Sequence, residues 1–191
     1  QQSSTASELA QTSKAVDAAV ATQSAYNAQL AGLQASKLAL ETEKKAYTDA
    51  GIETQYEQIN ESFASVRNMA SGYGMDASAY PADISDALKS PKKLEALTAF
   101  MKQIGQSDAA ASLTTDNLKQ LDQIVNTRLP QIDTELANLA VEIQAAQAIA
   151  DQVNEQVKAA TDNYEALESG KISAAVGFST GAAQIADALD Q

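Results

Sequence analysis

The stretch TELANLAVEIQAAQAIADQVNEQVKAATDNYEAL, residues 134–167, contains no glycine and no proline. With Ile132 placed ahead of it, its apolar row reads Ile132, Leu136, Leu139, Ile143, Ala146, Ala150, Val153, Val157, Ala160, Tyr164 and Leu167. Every step is three or four residues, which puts the whole row on one face of one helix. A stripe that narrow and that long is a coiled-coil seam, and it needs a partner of similar length.

The first fifty residues supply one. Leu9, Val16 and Leu30 form one row, and Tyr26, Leu33, Leu40 and Tyr47 a second. Merged, the seam runs 9, 12, 16, 19, 23, 26, 30, 33, 37, 40, 44, 47, with Gln23, Lys37 and Lys44 as polar interruptions. Residues 6–50 and 131–169 would each make a rod of roughly 60–70 Å at ~1.5 Å per residue. Two matched rods with one seam each are expected to close on each other, which needs one coincidence where parallel self-association of each rod needs two. The fold class expected is therefore all-α: an elongated antiparallel coiled-coil hairpin of two long helices with a small helical insert between them.

Local signals divide the chain into four segments. Residues 1–72 form a long N-terminal coiled-coil helix opened by a capping box at Thr5 and Glu8. It breaks near Gly51, where the stripe restarts out of phase as Ile52, Tyr56, Ile59, Phe63, Val66 and Ala70. Residues 73–114 form a small insert with helices near 81–89 and 92–104, each begun by a proline in its first turn. Ile84, Leu88, Leu94, Leu97, Phe100, Met101 and Ile104 would cluster there, ahead of a loop at 107–112. Residues 115–169 form the second long helix, capped at Thr115 and kinked near Pro130. The tail, 170–191, is rich in small residues; Ile172, Val176, Phe178, Ile185 and Leu189 give it an apolar character suited to contacts between subunits.

The composition agrees with thin, close helix packing. Apolar residues make up 45% of the 191, yet only 5% are aromatic and alanine is prominent. The net charge of -12 argues against nucleic acid, whose phosphates call for clustered lysine and arginine. No run approaches the ~20 apolar residues of a membrane-spanning helix, so no stable membrane span is expected. Gln1 in place of methionine reads as a trimmed N-terminus.

Chemistry is hard to find. Histidine and cysteine are both absent, which removes the Ser-His-Asp arrangement, the di-iron Glu-x-x-His pattern and ordinary zinc sites. Ser90-Pro91-Lys92-Lys93 matches S-x-x-K, but the companion S-D-N and K-T-G elements are missing. A serine cap ahead of Pro91 is the plainer reading. Ser169-Gly170-Lys171 fails as a phosphate loop at Glu165 and Ile172. Glu53, Glu57 and Glu61 form an acidic row at helical spacing, read as a solvated face. No catalytic, cofactor-binding or metal-binding residue is nominated, and no enzyme is expected.

The order of features, with Pro81-Ala82-Asp83-Ile84-Ser85-Asp86-Ala87-Leu88, Asn117-Leu118-Lys119-Gln120-Leu121 and the run 134–167, resembles the EspA-type filament and needle-tip translocator proteins of bacterial type III secretion. The resemblance implies a secreted, self-assembling structural protein at the bacterial cell surface, a filament subunit or needle tip built by coiled-coil packing. Its partners would be copies of itself, as homo-oligomer or helical polymer, and secretion-needle or translocator proteins. Two other readings fit the pattern: a component of a helical-bundle pore-forming toxin, and a non-enzymatic coiled-coil adaptor.

Overall fold

A computed structural model describes residues 2–169, with side chains from 6 onward. Every regular element among the described residues is helical. Helix α1 spans Gln2–Asp49 and α2 spans Ile52–Gly72. A 3-10 turn at Ala77–Ala79 leads to α3, Ile84–Lys89, and α4, Pro91–Gln103. Then come α5, Ser107–Ser112, and α6, Thr115–Gln123. One π turn, Ile124–Arg128, joins α6 to α7, Leu129–Glu168. By their contacts, residues 2–38 and 137–169 form one compact unit and Ala39–Leu136 a second. The units therefore cut across the four sequence segments, because α1 and α7 each contribute to both.

In the first unit, α1 carries no proline and Gly32 alone among glycines, so little in its sequence opposes helix. Ala19 of α1 is buried, as are Ala146, Ala150, Val153 and Leu167 of α7. Small side chains at these positions bury little area each, so this core is thin. Two buried threonines belong to it. Thr12 and Thr22 donate their hydroxyls back to the carbonyls of Glu8 at 2.7 Å and Ala18 at 3.0 Å. This back-bonding satisfies a polar group without a partner on another helix. Since α1 already runs from Gln2, Thr5 sits inside the helix, and the expected capping box at Thr5 does not form its start.

The second unit has a thicker core. Phe63, Val66 and Ala70 of α2 meet Ile84 and Ala87 of α3, Leu94, Leu97, Phe100 and Met101 of α4, and Leu118 of α6. Full burial of side chains this large is worth about 1.5–3 kcal/mol each. The stripe beyond Gly51 thus packs on the insert helices. Leu88 and Ile104, expected in the cluster, pack partly buried at its edge.

Short-range chemistry sets the boundaries. Gly51, at φ 67, is the left-handed residue that ends α1 and caps α2; only glycine adopts that angle cheaply. At the far end of α2, Gly74 has φ 80. Its N–H donates to the carbonyl of Ser71, and the Met75 N–H donates to that of Ala70, both at 3.0 Å. These paired bonds are a Schellman closure, and Gly105 with Gln106 closes α4 in the same way.

Several local expectations need correction. Pro91 does open α4, but Pro81 lies buried ahead of α3. The start of α3 is instead a reciprocal cap. Asp83 accepts from the Asp86 N–H at 2.7 Å, and Asp86 accepts from the Ala82 N–H at 3.0 Å. Residues 107–112, expected as loop, are α5, which buries Ala110 against the core. The cap of α6 is Thr114, whose side chain accepts from the Asn117 N–H, and not Thr115. Near Pro130 the irregularity is the π turn upstream, where the Leu129 N–H donates to the carbonyl of Ile124. A widened turn is one way a helix admits a residue that lacks an N–H and whose ring crowds the preceding turn.

Candidate functional site

The residues of the expected seam lie along α1 and α7. In the first unit, Leu9, Val16, Tyr26, Leu30 and Leu33 are half-buried along one face of α1. On α7, Leu139, Ile143, Val157 and Tyr164 are half-buried and Val153 and Leu167 buried. In the second unit, Leu40, Tyr47 and Leu136 are half-buried and Ile132 is buried. Ile172, Val176, Phe178, Ile185 and Leu189 lie outside the described residues.

The polar interruptions of the stripe have specific partners. Gln23 donates its side-chain amide to the side-chain oxygen of Asn154 at 2.7 Å. In the second unit Lys44 pairs with Asp133 at 2.6 Å. Glu43 sits beside Lys44 and takes both nitrogens of an Arg128 fork, Nε at 3.0 Å and Nη2 in a shorter contact. Tyr47 donates its hydroxyl to Glu43 at 3.3 Å. Past Gly51, the Asn126 amide donates to the Tyr56 hydroxyl at 3.0 Å. Two helical irregularities, Gly51 and the π turn, are thus bordered by polar side-chain bonds.

These bonds tune charge in one direction. The Arg128 hydrogen bonds hold the Glu43 carboxyl below its ordinary range, with the Arg128 charge adding to the effect, and Arg128 is raised in return by Glu43. The bond to Asp133 raises Lys44. In the insert, the Ala82 N–H lowers Asp86, helped by Lys93 at 3.4 Å, and the Ser78 hydroxyl and N–H lower Asp76. All five shifts favour the charged forms, which suits ion pairs and caps.

Tested as chemistry, the remaining features read as structure. A cleft of about 100 Å³ is lined by Tyr47, Thr48, Gly51, Ile52, Glu53, Thr54 and Leu129, well short of the ~300–1,000 Å³ of ordinary ligand pockets. Among the described residues no three acidic side chains are placed to hold a metal ion. Lys93 reaches Asp86, and Ser90 precedes α4 without a side-chain capping bond, so the S-x-x-K match becomes neither a serine–lysine pair nor a side-chain cap. Glu53, Glu57 and Glu61 are exposed on α2. No helix among the described residues is long and apolar enough to cross a membrane.

One surface went unnoticed in the sequence. Ala18, Ala21, Ala25, Ala28, Gly32 and Ala35 repeat the three–four step two positions away from the first stripe, and all are exposed. On α7, Val141 stands two positions from Leu139 and is 69% exposed. The signal was present as a second heptad register, but small side chains hide it from a search for large apolar residues. Compared with protein-family models, curated proteins and solved structures, the chain finds no match.

Proposed function

We propose that this chain is a secreted structural protein that assembles with copies of itself, as a filament subunit or needle tip of the type III secretion kind. In this reading, 2–38 and 137–168 pair as an antiparallel coiled-coil hairpin within one chain. The alanine–glycine row on α1 then receives a helix of the next copy. The protein acts by geometry, and its partners are further copies and the needle or translocator proteins they meet at the bacterial surface.

The observation that carries this reading is the second heptad row on α1. A helix pair needs one seam. A further row with the same step, exposed and built of alanine and glycine, lets another helix axis approach closely with little side-chain entropy to lose. The exposed Val141 supplies apolar area on α7. The secretory setting rests on the resemblance of 81–88, 117–121 and 134–167 to EspA-type proteins.

Negative-stain electron microscopy of the purified chain over a concentration series tests the proposal. Regular filaments or rings that lengthen or multiply with concentration are expected. Particles of single-chain mass at every concentration, with secretion-needle components added or not, would overturn it.

A further inference from the structure

The chain has three methionines and no cysteine, so its thioethers are the natural targets of peroxide. Met101 is only 2% exposed in the core of the second unit. Met69 and Met75 are at the surface, 39% and 40% exposed, on either side of Tyr73. The two differ in one respect that matters. Met75 accepts a hydrogen bond at its sulfur from the Tyr80 hydroxyl, at 3.1 Å.

Tyr80 is a core residue. It is buried, and its ring meets Phe100 edge-on with centroids 5.9 Å apart. Tyr73 approaches the same Phe100 ring at 6.2 Å. Met75 is also the residue whose N–H closes α2 on the Ala70 carbonyl. One surface sulfur is therefore tied through its side chain to the core and through its backbone to the end of α2.

We propose that Met75 is an oxidation site whose sulfoxide state is transmitted to the core of the second unit through Tyr80. A lone pair on the sulfur attacks one oxygen of a hydroperoxide. The S–O bond forms as the O–O bond breaks, and the departing oxygen takes up the proton and leaves as water or an alcohol. Sulfur loses two electrons and the peroxide gains them. The new acceptor oxygen lies one bond beyond the sulfur, and the sulfoxide is polar and seeks water. Tyr80, held against Phe100, cannot follow it without leaving its packing. The bond is given up, and the segment around Tyr80 loosens, including the turn bonds from Ala79 N–H to Asp76 and from Tyr80 N–H to Ala77.

The test treats the full chain with graded hydrogen peroxide, maps sulfoxides by peptide mass spectrometry and follows amide exchange over residues 76–84. Met69 and Met75 should oxidise while Met101 stays reduced. Exchange at 76–84 should then speed up roughly three- to tenfold, as for the loss of one ordinary hydrogen bond. In Met75→Leu, peroxide should convert Met69 and leave exchange at 76–84 unchanged. Tyr80→Phe should exchange fast before treatment and gain nothing from it. Methionine sulfoxide reductase should restore the slow exchange of the unmodified protein. The proposal is overturned by an equal acceleration in Met75→Leu, by none in a chain fully converted at Met75, or by a Met75 that stays reduced while Met69 is converted.

Discussion

Gln23 on α1 donates its amide to the side-chain oxygen of Asn154 on α7, 131 positions away in sequence, at 2.7 Å. The bond ties one position of α1 to one position of α7 and so marks which parts of the two helices lie side by side. The bond is exposed, so Gln23→Ala should cost under ~1 kcal/mol. Since the chain has no cysteine, Gln23→Cys with Asn154→Cys also gives a clean reporter. A short bismaleimide should link the two positions within one chain, and products of twice the chain mass alone would contradict that pairing.

Acid should weaken the second unit in a defined way. Glu43, Asp76 and Asp86 all have folded values below their ordinary ones of 4.5, 3.8 and 3.8. Groups shifted in that direction stabilise fully above their unfolded values, and the contribution is lost as pH falls through the folded values. Urea unfolding midpoints should therefore be flat from neutrality to about pH 5 and fall below about pH 4. Arg128→Gln removes the principal cause of the Glu43 shift. Its midpoint should lie below that of the unsubstituted chain at neutral pH, and the two should converge in acid. A constant gap at every pH would exclude a linkage through Glu43.

The core of the insert should be the most sensitive place to truncate. Phe63 is fully buried, between the insert helices and its own α2. Phe63→Ala should cost about 3–5 kcal/mol, from lost transfer energy and from the cavity left behind. Hydrogen exchange should show the loss across α3, α4 and α6. An effect under about 1 kcal/mol would mean that the core collapses around the gap.

Much of the helical layout was legible because it rests on local rules. The row from Ile132 to Leu167 gave α7, and Gly51 gave the break because a left-handed residue there has no cheap substitute. Pro91 gave the start of α4. Elsewhere local rules lost to packing or to a rarer geometry. Residues 107–112 carry no apolar period, yet Ala110 is buried and the segment is helical. Pro130 signalled a disturbance, but nothing in the sequence distinguishes a kink from the π turn at Ile124–Arg128. Arg128 and Glu43 are 85 positions apart, and no spacing rule links them. The outer row on α1 was written in the sequence all along, in residues too small to stand out.

The most direct measurement is sedimentation velocity of the full chain over a wide concentration range, beside a variant carrying Ala25→Glu and Gly32→Glu. Both positions are exposed, so the substitutions place charge on the outer row without touching the first stripe. The unsubstituted chain should pass from single chains to larger species as concentration rises, and the variant should remain single with unchanged helicity. A chain that stays single throughout, or a variant that assembles as well as its parent, would contradict assembly through α1.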